Sequence, residues 1–226
     1  MKLFVFPRWS NKTRPLFGAV LGIAPLYLTA LVWYGFSPKT TDVGYMPTQP
    51  IPYSHELHVG QLGLDCRYCH STVDKAAHSA VPSTNTCMNC HSRVRAKSPK
   101  LEALRESCGW SDEKRACRDD GPAIQWKKVH DLPDYVYFNH SAHVTRGIGC
   151  VSCHGRIDKM VEVNQVEPLN MQWCLNCHRA PEQYLRPASE VTNMTWVAEG
   201  DPIAYGKKLR EENNINPPED CSTCHR

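Results

Sequence analysis

Five short stretches of this 226-residue chain combine two cysteines with a histidine at one fixed spacing. Each reads Cys-x-x-Cys-His, and we number them motifs 1 to 5 along the chain. Their cysteines are Cys66 and Cys69, Cys87 and Cys90, Cys150 and Cys153, Cys174 and Cys177, and Cys221 and Cys224; the histidines are His70, His91, His154, His178 and His225. At this spacing two thiols bond to one porphyrin while the histidine reaches its iron from below. The motifs therefore predict five covalently attached haem c groups, with these histidines as proximal ligands.

Chance and zinc binding both explain the motifs less well than haem attachment does. Scattering 12 Cys and 11 His at random over the chain would produce only about 0.03 copies of such a haem signature. Paired Cys-x-x-Cys is also typical of zinc ribbons. Zinc does not need a histidine after every second cysteine, and here all five motifs have one.

Five irons also need sixth ligands, and six further histidines are available for them: His55, His58, His78, His130, His140 and His143. Methionine is the other usual axial ligand, and it raises the reduction potential. Met160, Met171 and Met194 lie between the later motifs. We expect bis-histidine coordination at most or all irons, with at most one histidine–methionine pair.

Part of the chain is repeated. Residues 53–75 read YSHELHVGQLGLDCRYCHSTVDK, and residues 138–159 read FNHSAHVTRGIGCVSCHGRIDK. The second copy is one residue shorter, and each copy is followed by another motif. The repeat predicts a duplicated two-haem unit, with the fifth haem on a C-terminal segment.

Each copy carries a His-x-x-His pair before its first motif. On a helix, residues three apart lie on one face, so such a pair can reach two irons. The pattern resembles small trihaem and tetrahaem cytochromes, where the first histidine serves the haem of its own motif and the second serves the next. The resemblance implies His55 and His58 for haems 1 and 2, and His140 and His143 for haems 3 and 4. The fifth haem would then take His78, His130 or a methionine.

An uncharged stretch near the N-terminus predicts a membrane anchor. Residues 16–36 form 21 uncharged residues, enough to span a bilayer as a helix; Pro25 is tolerated in such helices. A cleaved signal peptide is the alternative. The basic residues Lys2, Arg8, Lys12 and Arg14 precede the span. The positive-inside rule then predicts a single-pass protein of the inner membrane, with a cytoplasmic N-terminus and a periplasmic haem domain.

Two cysteines remain outside the motifs. Cys108 and Cys117 bracket a charged segment, and outside the cytoplasm we expect a disulfide rather than two free thiols. Beyond the N-terminal tail, 22 basic residues face 23 acidic ones with no basic stripe. This balance argues against a nucleic-acid-binding protein.

Residues 39–226 provide only about 38 residues for each motif, too few for a conventional layered core. We therefore expect a mostly irregular chain with short α-helices, in which the haems form the core. The predicted regions are a basic tail and anchor (1–38), a first two-haem unit (39–93), a haem-free insert with the disulfide (94–137), a second two-haem unit (138–180) and a C-terminal segment with the fifth haem (181–226). A helix is expected from Pro202, with Asp201 as its N-cap.

The basic N-terminus, single span and five motifs, with the stretches VHDLPDYVYFNHSAHV and PLNMQWCLNCHR, resemble the pentahaem cytochrome c subunits of alternative complex III, a bacterial quinol:electron-acceptor oxidoreductase. This resemblance implies an electron relay beside an iron–sulfur protein, integral membrane subunits and a monohaem cytochrome c. Electrons would leave to a periplasmic cytochrome, an iron–sulfur carrier or a terminal oxidase.

Two other functions are compatible with multiple haems. One is a membrane-anchored quinol dehydrogenase that feeds a periplasmic reductase. The other is a catalytic multihaem enzyme such as a nitrite reductase, which needs an iron with an open position. Every motif ends in histidine and distal ligands are plentiful, so we expect no substrate chemistry on this chain itself.

Overall fold

The computed structural model describes residues 6–225. Lys2, part of the predicted basic tail, and the C-terminal Arg226 lie outside the described residues. The chain divides into a first unit that ends at Val43 and a second unit that begins at Gly44. Each unit is described by itself.

The first unit is dominated by one apolar helix. Helix α1 (Ser10–Ala30) continues as a π-helix (Leu31–Gly35), and a short α2 (Pro38–Thr41) follows. The combined stretch Ser10–Gly35 is long and apolar enough to cross a membrane. Pro25 lies inside α1 without ending it. The helix contains most of the predicted span and begins six residues earlier.

The second unit consists of short helices joined by irregular segments. Its α-helices are α3 (Cys66–Cys69), α4 (Thr84–His91), α5 (Glu102–Cys108), α6 (His140–Val144), α7 (Val151–His154), α8 (Met171–Arg179), α9 (Pro202–Glu212) and α10 (Cys221–Cys224). A π-helix covers Glu56–Gln61, and 3₁₀ turns cover Pro99–Leu101, Ile157–Lys159, Pro181–Tyr184 and Ala188–Glu190. Strand pairing in residues 6–225 is limited to isolated bridges. The prediction of a mostly irregular chain with short helices is confirmed.

At the start of several of these helices, a short side chain accepts a hydrogen bond from a backbone N–H of the first turn, as expected for an N-cap residue. Asp65 accepts a hydrogen bond from the backbone N–H of Arg67 (2.8 Å). Asn170 and Asp220 cap α8 and α10 in the same way. Asp201 accepts from the N–H of Ile203 (3.0 Å), so the predicted start of α9 is confirmed.

The two copies of the repeat have different types of helix at their histidine pairs. His58 lies within the π-helix Glu56–Gln61, whereas α6, which holds the second pair, is α-helical. Leu64 N–H donates to the His58 carbonyl (3.0 Å), and Ile148 N–H donates to the His143 carbonyl (3.0 Å). The same contact thus spans one residue more in the first copy. A π-helix takes up an extra residue within one turn, so it absorbs the length difference.

Apolar packing in the second unit is confined to small clusters. One cluster contains Ile51, Met88, Leu104 and the fully buried Cys108. Cys108 and Cys117 are joined by a disulfide. A second cluster contains Val73, Val144 and Val191. Clusters of this size agree with a protein whose interior is largely supplied by cofactors.

Candidate haem sites

Each attachment motif is folded onto a helical turn. Helices α3 and α10 each run from the first to the second cysteine of their motif, and motifs 2 and 4 lie within α4 and α8. In motif 3, α7 begins at Val151, directly after the first cysteine. Residues three apart on a helix share a face. The local fold therefore presents both thiols of a motif on one side, as attachment to one porphyrin requires.

Backbone carbonyls orient most of the histidine rings. The Nδ1–H groups donate over 2.6–3.0 Å in six pairs: His58 to Ser54, His70 to Ala80, His91 to Val94, His140 to Ala77, His143 to Asn139 and His178 to Pro218. His225 makes a longer contact of 3.4 Å with the Tyr135 carbonyl. When Nδ1 carries the proton, Nε2 keeps the lone pair that binds a metal. The rings are thus held in the tautomer that iron coordination needs.

Three pairs of imidazole rings lie at similar separations. The ring centroids are 6.2 Å apart for His58 and His91 and 6.1 Å apart for His143 and His178. For His140 and His154 the separation is 6.4 Å and the rings are nearly parallel. Two metal–nitrogen bonds of about 2 Å each, with the inner halves of two rings, span about 6 Å. Each gap therefore fits one iron with two axial histidines.

His55 lies close to His70, the histidine of motif 1. Its Nδ1 is buried and has no hydrogen-bond partner within the described residues. Burial, with a smaller effect from the adjacent His70, lowers the pKa of His55 to about 4. The ring is therefore neutral at pH 7, which is the form that binds a metal.

Burial acts in the same direction on the other central histidines. It lowers the pKa of His154 to about 3, with further contributions from His130 and His140. Burial is also the main cause of the lowered pKa values of His130, His140 and His143. A desolvated imidazole prefers its neutral form. These rings are consequently poised as metal ligands rather than as cations.

Two aromatic residues that sequence analysis did not assign to the sites pack on the histidine pairs. Tyr53 stacks on His58 at 4.4 Å and meets His55 edge-on at 4.8 Å. Phe138 stacks on His143 at 4.5 Å and meets His140 edge-on at 4.8 Å. In the sequence, the signal for this packing is the aromatic residue with which both copies of the repeat begin. The backbone carbonyls that accept from Nδ1–H leave no signal in the sequence, since every residue has a backbone carbonyl.

The candidates for the fifth haem lie in different surroundings. His130 packs edge-on against His154 with centroids 4.4 Å apart, too close for an iron between them, and its Nε2 is buried without a partner within the described residues. His225 lies beside the Tyr135 ring, at 5.7 Å. His78, Met160, Met171 and Met194 are the remaining candidates; Met171 is an exposed first residue of α8. The sixth ligand of the fifth haem stays a prediction, with His130 and these four residues as the candidates.

Haem c is the cofactor that these sites fit, and the chain is similar to multihaem c-type cytochromes. Residues 136–226, which contain motifs 3 to 5, match the family described as cytochrome c7 and related cytochrome c. The chain is also similar to the menaquinone reductase, multiheme cytochrome c subunit, of Nitratidesulfovibrio vulgaris. The two are 26% identical over an alignment 226 positions long, which covers 91% of this chain and 90% of that protein.

Proposed function

We propose that this chain carries five haem c groups and relays electrons within a membrane complex that reacts with quinones. The observation that carries the proposal is the set of three imidazole pairs about 6 Å apart. In two of these pairs the histidine serves a motif further along the chain. Such sharing ties neighbouring haems closely together, as a relay requires.

We propose the distal ligands that the repeat predicts. His55 and His140 serve the haems of motifs 1 and 3, and His58 and His143 serve those of motifs 2 and 4. The matched aromatic packing of Tyr53 and Phe138 supports treating residues 53–93 and 138–180 as a duplicated two-haem unit. Bis-histidine iron is six-coordinate, so electrons move with little ligand rearrangement, and burial and the surrounding hydrogen bonds tune each potential.

The apolar helix Ser10–Gly35 supports anchoring of the haem domain to a membrane. We propose the inner membrane as its location, with the N-terminus in the cytoplasm because basic residues precede the span. The haem domain then lies in the periplasm, where the Cys108–Cys117 disulfide persists.

The similarity to a menaquinone reductase subunit over most of the chain supports a quinone-linked complex. We propose that this complex oxidises quinol, as the resemblance to alternative complex III implies. Its other members would be an iron–sulfur protein, integral membrane subunits and a monohaem cytochrome c. The relative's name favours a second candidate, a complex that passes electrons toward menaquinone. A quinol dehydrogenase feeding a periplasmic reductase is the remaining alternative.

Extraction of the intact complex in mild detergent tests these functions. Co-migrating subunits would be identified by mass spectrometry, and haem absorbance would be followed after adding menaquinol or, to reduced complex, menaquinone. Haem reduction by menaquinol supports the quinol-oxidising complex, whereas haem oxidation by menaquinone alone supports the reverse direction. The isolated chain should be reduced by dithionite yet oxidise no quinol. Quinol oxidation by the isolated chain would instead establish a quinol dehydrogenase.

A further inference from the structure

We infer that the attachment segments follow one another in space in the order 2–1–3–4–5, so that motifs 2 and 5, rather than motifs 1 and 5, form the two ends. The order rests on contacts between chain segments. The assignment of the ends as the points where electrons enter and leave rests on the proposed relay function.

Motif 2 lies beside motif 1. The Asn89 side chain, between the cysteines of motif 2, donates to the hydroxyl of Tyr68, between the cysteines of motif 1 (3.2 Å). His58, in the π-helix before motif 1, reaches His91 of motif 2. The cysteine pairs are close as well, since Cys69 adds to the effect of burial in raising the pKa of Cys87.

Motif 1 lies beside motif 3, although motif 2 separates them in sequence. Residues 191 and 192 join them: the Thr192 hydroxyl donates to Asp65, the cap of α3 (2.7 Å), and the Cys150 N–H donates to the Val191 carbonyl (2.9 Å). The side chains of Cys66 and Cys150 are also neighbours, since each affects the pKa of the other.

This central junction is reciprocal. In one direction, His140 N–H donates to the carbonyl of Ala77, which follows motif 1 (3.0 Å). In the other, Glu56 N–H donates to the carbonyl of Met160, which follows motif 3 (3.0 Å). A side chain at Gly60 would meet the Asp158 carbonyl at 2.2 Å. Each histidine-pair helix therefore lies against the loop that follows the motif of the other copy.

Motif 4 follows motif 3. His143, on the helix before motif 3, faces His178 of motif 4 at 6.1 Å. The electrostatic surroundings of Cys153 include both Cys177 and Cys174. The histidine pair of the second copy thus spans from motif 3 to motif 4, as the first pair spans from motif 1 to motif 2.

Motif 5 follows motif 4. His178 donates to the Pro218 carbonyl (2.6 Å), and Arg179 pairs with Glu219 (3.0 Å). Both partners directly precede motif 5. Among the motif cysteines of the described chain, the exposed ones are Cys90 and Cys221, one in each of the two end motifs. Exposure at these motifs agrees with their place at the ends.

Distance measurements on the full-length haem protein test the order without any assay of electron transfer. Three exposed residues serve as label sites: Val94 after motif 2, Leu62 before motif 1, and Asp134 next to the Tyr135 that contacts His225. Gadolinium labels would be placed on Val94→Cys with Asp134→Cys, and on Leu62→Cys with Asp134→Cys. Reducing the haems to their diamagnetic ferrous form allows pulsed dipolar spectroscopy between the labels.

The order 2–1–3–4–5 predicts that the Val94–Asp134 distance exceeds the Leu62–Asp134 distance by about 10 Å, the thickness of one helix with its side chains. A Leu62–Asp134 distance that equals or exceeds the other would overturn the inference. Haem content and low-spin spectra of each labelled protein ensure that the folded form is measured. The expected distances together with no electron transfer in the intact complex would uphold the order and reject the proposed relay.

Discussion

The imidazole rings of His143 and His178 face each other with centroids 6.1 Å apart, although one ring lies before motif 3 and the other ends motif 4. Asn139 and Pro218 accept from the two Nδ1–H groups, which leaves both Nε2 atoms available for one iron. This relationship supports the proposed role of His143, a residue outside every attachment motif, as a distal ligand.

His143→Ala should convert the motif 4 haem from low-spin to high-spin, because its iron loses a strong axial ligand. We expect about one fifth of the total iron signal to change in electron paramagnetic resonance or magnetic circular dichroism. Thr145→Ala, on an exposed site beside the same helix, is the matched control and should leave all haems low-spin. A wholly low-spin His143→Ala protein would show that the sixth ligand lies elsewhere.

The π-helix predicts different tolerance to deletion in the two copies. Deleting the exposed Leu62 should let the first copy adopt the shorter helical winding of α6. The expected loss of stability is below about 1 kcal/mol, which lowers Tm by less than about 4 °C. Deleting Arg146, where the second copy has no spare residue, should pull His143 from its iron and produce high-spin haem.

Arg146→Ala separates the loss of register from the loss of the side chain, since it removes the side chain, with its contact to the Asn213 carbonyl, and keeps the number of residues. Spin state and Tm are the measurements. Equal effects of the two deletions would mean that the π-helix is not a one-residue insertion.

The Cys108–Cys117 disulfide stabilises the insert that packs on motif 2. Replacing both cysteines by alanine should cost about 2.7 kcal/mol in the loop-entropy model. We expect faster hydrogen exchange within residues 94–137 and little change in 138–180, since Cys108 belongs to the cluster that contains Met88. Lys114→Ala, in the loop the disulfide closes, is the control. Uniform loss of protection across both regions would contradict a local role.

The Arg156–Asp158 pair makes stability depend on pH near motif 3. Two hydrogen bonds from the guanidinium, 2.6 and 2.7 Å long, lower the pKa of Asp158 below its usual value of about 3.9. The folded state thus favours the carboxylate. Its stabilising effect is present above about pH 4 and is lost as the pH falls through the lowered value.

Asp158→Asn should therefore have a lower Tm than the native protein at pH 7, and the difference should shrink below about pH 4. Glu162→Gln, an exposed change nearby, is the control. A Tm difference that is constant with pH would indicate that packing, rather than charge, accounts for the effect of the substitution.

Intact mass of the mature chain should exceed the polypeptide mass by five haem equivalents. Cys221→Ala with Cys224→Ala should remove one of them, because motif 5 then lacks both attachment thiols. Four or fewer haems in fully matured native protein would contradict the count. Retention of five in the variant would mean that motif 5 is not an attachment site.

The sequence by itself determined the local chemistry. Five Cys-x-x-Cys-His motifs predict haem attachment because the two thiols, the histidine and the helical turn are contiguous in the chain. The apolar stretch after the N-terminal tail and the Asp201 cap of α9 are likewise local, and the structure has helices at both places. The small number of residues for each predicted cofactor favoured short helices, and the pairing of extended segments in residues 6–225 is limited to isolated bridges.

Only the tertiary structure decided which segments meet. The repeat and its resemblance already implied that His143 serves the haem of motif 4, but its distance from His178 comes from the tertiary structure. The junction of motif 1 with motif 3 joins residues far apart in sequence, and it depends on no recognisable motif. The carbonyls that fix the imidazole tautomers belong to backbone groups that every residue carries. Their positions follow from chain folding over longer distances, where the reciprocal loop contacts at Ala77 and Met160 bring the two copies of the repeat together.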